Sequence, residues 1–296
     1  MKIPLQKISG SFVSSSGINL FVLRLDKIHP DISGNKWHKL KYNLEEAKKQ
    51  KKDTLLTFGG AYSNHISATA AAGKEFGFKT IGIIRGEELN ENENPTLRFA
   101  KECGMKLHFV SREEYRQIRI NEILPIRILS QLPTPDSQLY FLPEGGTNEL
   151  AIKGCAEILS HIDIPFDYVC CPVGTGGTIA GIISSLNENQ KAIGFSVLKD
   201  GGFLKAEVEK LLSSPCPLRE GDINTDYHFG GYAKHTPNLL NFISDFEKEN
   251  DIPLEQVYTG KMMFGIYDLI KRNHFPKNST VIAIHTGGLQ GKLPQS

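Results

Sequence analysis

Short apolar runs rich in β-forming residues alternate with segments of helical spacing along most of the 296-residue chain. This alternation predicts an α/β fold in which parallel sheets are covered by helices on both faces. The runs predict strands at Leu20–Leu25, Leu55–Phe58, Thr80–Ile84, Leu107–Val110, Leu139–Leu142, Tyr168–Pro172, Ile193–Leu198 and Val281–Ile284.

The segments between these runs predict helices. One carries Leu40, Leu44 and Ala47, a second runs from Asn64 to Phe76, and a third opens with the capping-box pattern Ser111-Arg112-Glu113-Glu114. A fourth runs from Asn148 to about Leu159, and a fifth contains Met263, Ile266, Leu269 and Ile270. No internal repeat or low-complexity linker marks a domain boundary.

Composition limits the classes of partner. The net charge of +1 gives no field that would favour nucleic acid or an anionic membrane surface, and no apolar run is long enough to span a membrane. The five cysteines are odd in number and contain no C-x-x-C pair, which argues against a disulfide framework and a cysteine zinc site. The nine histidines show no H-E-x-x-H spacing, so no metal site is predicted. The amino-terminal residues lack a signal-peptide core, and we expect a soluble cytoplasmic protein.

Glycines follow several predicted strands. They stand in Phe58-Gly59-Gly60, Glu144-Gly145-Gly146, Val173-Gly174 and His285-Thr286-Gly287-Gly288. Parallel sheets bind ligands at the carboxyl ends of their strands, and glycine there lets backbone approach a ligand closely. The pattern suggests one shared ligand crevice, although tight packing of loops would explain it as well.

The richest of these turns lies in residues 168–182, which read as strand, glycine-rich turn and helix. Backbone N–H groups and a helix N-terminus converge in such a turn and form an anion site. The spacing does not fit the G-x-G-x-x-G dinucleotide fingerprint, because the next glycine after Gly174 and Gly176–Gly177 is Gly181. A Walker loop would need a lysine, which is absent. The segment favours a phosphate held without a catalytic metal, and a plain tight turn fits equally well.

Two further segments stand at predicted helix starts. Lys36 follows the turn Ser33-Gly34-Asn35, where an exposed helix lysine is the ordinary interpretation. Ser63 and Asn64 precede a helix of small residues, where both residue types are common N-caps. The same N-terminus could bind a carboxylate, and the two roles are compatible.

Taken in this order, these motifs resemble the 1-aminocyclopropane-1-carboxylate (ACC) deaminase and D-cysteine desulfhydrase family. The resemblance covers about Leu20 to Leu289 and rests on Gly34-Asn35-Lys36, Ser63-Asn64-His65, the Gly174–Thr178 turn, Tyr258-Thr259-Gly260-Lys261 and His285-Thr286-Gly287-Gly288. It implies a pyridoxal 5′-phosphate (PLP) enzyme of the tryptophan synthase β-like fold (fold type II), with two open, mainly parallel α/β domains. Relatives commonly have arginine where this chain has His38.

The resemblance also implies roles for individual residues. Lys36 would hold PLP as a Schiff base and move protons, with Ser63 and Tyr258 as the other catalytic residues. The loop Ser63, Asn64 and His65 would receive the substrate carboxylate, and Tyr258 and Tyr232 would line the substrate side. By the same resemblance, the cofactor would be held by Lys36, Asn64, Val173, Gly174, Thr175, Gly176, Gly177, Thr178, Thr259 and Thr286.

Two positions bear on the reaction. In this family, ACC deaminases carry glutamate at the position of Thr259 and leucine at the position of Thr286. This chain has threonine at both positions and therefore resembles the desulfhydrase branch. A carboxylate beside the ring nitrogen would strengthen PLP as an electron sink, whereas a neutral threonine suffices when a good leaving group departs. The predicted reaction is α,β-elimination of D-cysteine to pyruvate, ammonia and hydrogen sulfide.

Several alternatives stay open. The chain could be an ACC deaminase forming 2-oxobutanoate and ammonia, a serine or threonine dehydratase, or a β-replacing synthase. It could also be a non-catalytic PLP or amino-acid binding protein, and a nicotinamide dehydrogenase is disfavoured by the glycine spacing. By the same resemblance we expect a homodimer, a small domain at residues 43–148, and a large PLP-binding domain at residues 1–42 and 149–296.

Overall fold

A computed structural model describes residues 2–88, 94–121, 124, 126–130, 136–212, 218 and 221–293. Within them it is an α/β structure with two sheets. The strands are β1 Leu5–Lys7, β2 Asn19–Leu23, β3 Thr54–Gly60, β4 Lys79–Arg85, β5 Lys106–Val110, β6 Leu139–Leu142, β7 Tyr168–Val173, β8 Lys191–Ser196, β9 Ile223–Asn224 and β10 Thr280–Ile284.

The α-helices alternate with these strands along the chain. They are α1 Ser11–Ser16, α2 Asn35–Lys49, α3 Asn64–Phe76, α4 Pro95–Glu102, α5 Arg112–Asn121, α6 Ile126–Leu129, α7 Glu149–Ala156, α8 Gly177–Ser184, α9 Leu204–Leu211, α10 Pro237–Asn250 and α11 Thr259–Lys271. None of the helices in the described residues is long and apolar enough to cross a membrane.

The two sheets are mainly parallel, as predicted. The larger has the order β1-β2-β10-β7-β8-β9, and only the β1–β2 pair is antiparallel. The smaller has the order β5-β4-β3-β6 and is parallel throughout. Because the strands other than β1 are parallel, their carboxyl ends lie at the same edge of each sheet. This is the edge at which such folds bind ligands.

Alternation along the central strand β7 shows how the larger sheet is covered. Tyr168 and Cys170 belong to a core cluster with residues of α10 and α11, whereas Val169, Cys171 and Val173 belong to a second cluster with residues of α7, α8 and α9. The sheet is therefore buried on both faces, which explains why its strands read as continuous apolar runs.

All eight predicted strands occur, with ends shifted by a few residues. Leu25 starts a 3₁₀ turn instead of ending β2, and the predicted fourth helix is an α-helix to Ala156 that tightens into a 3₁₀ turn at Glu157–His161. The capping box is confirmed, because Glu114 N–H donates to Ser111 Oγ (3.1 Å) and Ser111 N–H donates to Glu114 Oε2 (3.3 Å). The domain limits at residues 43 and 148 stay a prediction; α2 runs unbroken through the first of them.

Candidate active site

One cleft collects most of the predicted site residues. It is open to solvent and holds about 600 Å³ of space when that open part is included. From the predicted set it is lined by Lys36, Ser63, Asn64, His65, Val173, Gly174, Thr175, Gly176, Thr178, Tyr232, Tyr258 and Thr286. Gly177 and Thr259 are not among the lining residues. His38, the position where relatives commonly have arginine, is buried on α2 and does not line the cleft.

Lys36 is the second residue of α2, and the residue that precedes this helix is Gly34 at φ 67°. A Cβ on Gly34 would stand 1.9 Å from the Thr286 carbonyl oxygen, so glycine is required for the close approach of these two loops. The Lys36 amine lies 3.4 Å from the Gly145 carbonyl oxygen. Burial, followed by the neighbouring Lys39, lowers the pKa of Lys36 well below its ordinary value. A larger fraction of this amine is therefore neutral and nucleophilic than for an exposed lysine.

Lys39 is a cleft residue that the sequence reasoning missed. Its side chain is buried, and its Nζ donates to the Gly145 carbonyl oxygen and to Thr147 Oγ1, both at 2.9 Å. Thr175 Oγ1 of the glycine turn is 3.5 Å away. A helix lysine in sequence looks like a surface residue; only the i, i+3 spacing from Lys36 could have indicated that both face the same side.

The glycine turn is built as an anion cradle. Gly176 caps α8 at φ 83°, and the first N–H groups of that helix have no intrahelical acceptors. A Cβ on Gly177 would stand 2.8 Å from Thr147 Cγ2, and one on Gly174 would stand 3.3 Å from the Tyr258 ring. Asn35 Nδ2 donates to Thr178 Oγ1 at 2.7 Å and ties the start of α2 to the cradle. A phosphate fits these residues, since backbone donors, threonine hydroxyls and the Lys39 amine converge there.

The Ser63–His65 loop forms the N-terminus of α3. Ser63 caps the helix by accepting the Ile66 N–H at 3.4 Å, which confirms its predicted capping role. Asn64 Oδ1 accepts from Gln290 Nε2 at 2.8 Å. The backbone N–H groups at this helix start provide a second place for an anion, distinct from the phosphate cradle.

The hydrogen bonds of His65 determine its tautomer. Thr57 Oγ1 lies 3.0 Å from the Leu142 carbonyl oxygen, which can only accept, so the single hydroxyl hydrogen goes there. His65 Nε2, 2.7 Å from the same hydroxyl, must therefore carry a proton and donate it. Burial, with Lys36 and Lys39 nearby, lowers the His65 pKa well below its ordinary value. The neutral ring leaves Nδ1 unprotonated, so His65 would meet a carboxylate through its backbone N–H and not its ring.

Two tyrosines close the other side of the cleft. The rings of Tyr232 and Tyr258 meet edge to face with centroids 6.0 Å apart. Burial raises the pKa of Tyr258 well above its ordinary value, and the neighbouring Tyr232 and Glu255 act in the same direction. Tyr258 therefore keeps its proton at neutral pH and can donate it.

Thr259 lies below the cleft surface, where it is bonded to Glu255. The buried Glu255 carboxylate accepts N–H donors from Val257, Tyr258 and Thr259 at 2.6–2.7 Å, and lies 3.2 Å from Thr259 Oγ1. It thus caps the start of α11. Sequence reasoning missed Glu255, although a glutamate just before a helix N-terminus was the available signal.

Comparisons with known proteins show the family to which this fold and sequence are similar. The model of the family described as pyridoxal-phosphate dependent enzyme matches residues 2–287. The bifunctional D-cysteine desulfhydrase/ACC deaminase of Arabidopsis thaliana, a mitochondrial protein, is 32% identical and the match covers 93% of this chain and 74% of that protein. A putative ACC deaminase of Thermotoga maritima is 32% identical over 95% of this chain and 92% of its own length. The crystal structure of an ACC deaminase homologue superposes with a TM-score of 0.85 and 25% identity, covering 98% of this chain and 90% of that one.

Proposed function

The chain belongs to the family of pyridoxal-phosphate dependent enzymes, and from that premise we propose that it catalyses α,β-elimination on D-cysteine, releasing pyruvate, ammonia and hydrogen sulfide. The observation that carries the proposal is the cleft itself. It brings the Lys36 amine, the helix start at Ser63 and the protonated Tyr258 around one space beside the phosphate cradle.

In this proposal each group of the cofactor has its own residues in the cleft. The phosphate would bind the cradle at residues 173–178 and the Lys39 amine, and Lys36 would hold the cofactor covalently until substrate binds. Asn64 and Thr286 would contact the ring. Bound PLP supplies an electron sink for the electrons left on the substrate's α carbon. Gly177 and Thr259 lie outside the lining of the cleft, and their contacts with the cofactor remain part of the proposal.

The reaction then divides among the protein's own groups. The substrate carboxylate binds the N–H groups at the start of α3, which orients the Cα–H bond toward the Lys36 amine. Lys36 takes the α proton, because its lowered pKa leaves it unprotonated more often than an exposed lysine. The Cβ–S bond breaks, and Tyr258 or Ser63 gives a proton to the departing sulfur. Water supplies the oxygen of pyruvate when the amine leaves as ammonia.

ACC deamination is the second candidate, because two relatives carry that activity in their names, one as a bifunctional D-cysteine desulfhydrase/ACC deaminase and one as a putative ACC deaminase. A PLP or amino-acid binding protein without turnover is the third candidate.

Turnover assays distinguish these functions. Purified protein loaded with PLP is offered D-cysteine, L-cysteine and ACC in turn, with sulfide, pyruvate and 2-oxobutanoate measured separately. We expect sulfide and pyruvate in equal amounts from D-cysteine. 2-Oxobutanoate from ACC, without sulfide from D-cysteine, would replace the proposal with the second candidate, and binding without any product would replace it with the third.

Two further proposals concern the protein's setting. We propose a homodimer, which sedimentation or light scattering of the PLP-loaded protein tests. We propose a cytoplasmic location, supported by the free thiols of the four described cysteines, Cys103, Cys155, Cys170 and Cys171. Fractionation of the source cells tests this second proposal.

A further inference from the structure

Lys261 carries a buried amine for which the proposed chemistry has no use. It lies on α11 and is fully buried, and it does not line the cleft. Its Nζ donates to two backbone carbonyl oxygens, of His228 at 2.8 Å and of Gly231 at 2.7 Å. Lysine is rarely buried, because desolvation of the charged amine is costly. Burial accordingly lowers the pKa of Lys261 to about 8, against an opposing effect of Glu255.

The two carbonyls belong to a loop in an unfavourable backbone conformation. Within residues 228–234, Phe229 has φ 51° and Ala233 has φ 58°, a backbone conformation that is unfavourable for a residue with a side chain. Gly230 and Gly231, at φ 93° and 116°, also occupy positive φ. Such a conformation persists only where its surroundings hold it. The loop's own bonds, Gly231 N–H to the His228 oxygen at 3.0 Å and Lys234 N–H to the Gly231 oxygen at 3.1 Å, converge on the same two carbonyls that Lys261 binds.

This loop contains Tyr232, which lies in the cleft. Tyr232 lines the cleft and is 39% exposed, and its ring meets Tyr258. Tyr258 directly precedes α11, so it lies three residues before Lys261. One side chain therefore joins the helix start that carries one tyrosine to the loop that carries the other.

We propose that Lys261 is a positioning residue, whose amine holds the 228–234 loop in its strained form and thereby keeps Tyr232 against Tyr258 on the substrate side of the cleft. The effect on substrate rests on the proposed function, whereas the holding of the loop does not. The two parts have separate measurements.

The first measurement is amide hydrogen exchange of the PLP-loaded protein. Lys261→Met keeps most of the buried stem and removes the donors. Lys271→Met makes the same change at an exposed position at the end of the same helix. We expect exchange in residues 228–234 to rise about tenfold or more in the first variant and not in the second. Lys261→Gln, which keeps amide donors, serves if the methionine variant does not fold, and it is expected to show a smaller rise.

The second measurement is a double-mutant cycle on D-cysteine turnover with Tyr232→Ala. If Lys261 acts through Tyr232, Lys261→Met raises KM about tenfold in the native background and has little further effect once Tyr232 is absent. If the increases in KM from the two single substitutions multiplied in the double variant, Lys261 would not act through Tyr232. Unchanged exchange in residues 228–234 of a folded variant would overturn the proposal altogether. If wild-type protein does not turn over D-cysteine, the proposed function fails and the exchange result alone decides the role of Lys261.

Discussion

At the scale of single residues, His65 shows how hydrogen-bond geometry limits chemistry. Because Thr57 gives its only hydrogen to the Leu142 carbonyl, the His65 ring is fixed with its proton on Nε2. We predict that ¹⁵N NMR of the His65 ring shows this tautomer, unchanged between about pH 6 and 8, since burial holds its pKa well below the ordinary value. A ring that titrates in that range would contradict this assignment.

Removing the hydroxyl gives a second test at the same site. Thr57→Val keeps the shape but leaves the buried His65 Nε2–H without its acceptor. We expect a loss of about 1–3 kcal/mol in the free energy of unfolding, measured with urea. Thr69→Val is the control. Thr69 is also a fully buried threonine, and its hydroxyl has no partner in the described residues, so its replacement should cost much less. Equal losses would mean that the Thr57 bond contributes nothing specific.

Lys261 makes stability depend on pH in a defined direction. Its pKa is about 8 in the folded chain and about 10.4 when unfolded, so the unfolded state binds more protons between those values. The contribution of Lys261 to stability therefore rises with pH across this window, and its cost is fully present below about pH 8. We expect the unfolding free energy of the wild type to gain on the order of 2 kcal/mol relative to Lys261→Met between pH 7.5 and 10. A constant difference between the two proteins would contradict the lowered pKa.

At the scale of elements, the turn into α8 depends on backbone conformation as well as on ligand contacts. Gly176 has φ 83°, and a Cβ there would lie 2.8 Å from Val208 Cγ2. Gly17 also has positive φ, at 75°, but nothing lies within 4 Å of its added Cβ. We expect Gly17→Ala to cost about 1 kcal/mol and Gly176→Ala to cost more, with PLP affinity reduced only in the second. If both variants changed PLP affinity equally, the turn at Gly176 would not be the phosphate site.

The elements also show what the sequence could predict. The strands were predictable because a short, continuous apolar run bounded by turns is typical of a buried strand. The cap at Ser63 and the Ser111–Glu114 box were predictable from local capping chemistry. The strands β1 and β9 were missed, because three and two residues carry no pattern. Helix α10 was also missed, although Thr236 and Pro237 mark its start and Leu239, Ile243 and Phe246 have helical spacing.

The site was predictable in part, for a related reason. Its positions could be assigned where a short motif resembles a family, as with Lys36 and the glycine turn. Lys39 and Lys261 were not assigned, since their roles arise from burial beside distant segments. Glu255 was also missed, although its bonds are local and run to the helix start two to four residues further on. Lys39 contacts residues more than 100 positions away, and no local pattern reports such contacts. Thr259 is the opposite case: its motif was recognised from sequence, whereas the bond of its hydroxyl to Glu255 was not, and its contact with the cofactor stays a prediction.

At the scale of the whole molecule, the cleft joins the two sheets. Ser63 to His65 follow β3 of the smaller sheet, Gly174 to Thr178 follow β7 of the larger, and Thr286 follows β10. The start of α2 lies between them, because Lys36 faces the cleft while Leu40, Leu44 and Ala47 pack in a core with residues of the smaller sheet. A ligand in the cleft therefore contacts both halves of the fold.

This arrangement predicts that PLP stabilises the whole chain. A ligand present at about 100 times its Kd adds about 2.7 kcal/mol to the free energy of unfolding. We expect Tm to fall by several degrees when PLP is removed and to recover in full when it is returned. Inorganic phosphate should restore Tm in part, since it fills only the cradle. An unchanged Tm would mean that the cleft does not take the cofactor.

The most direct test of the central claim is the absorption spectrum of PLP-loaded protein, recorded before and after addition of D-cysteine, beside Lys36→Ala. We expect a protein-bound cofactor band in the wild type that changes on addition of D-cysteine while sulfide and pyruvate appear. In Lys36→Ala this band should be lost or altered. A band that persists without change in Lys36→Ala would contradict the assignment of Lys36. No band in the wild type, even after added PLP, would contradict the account as a whole.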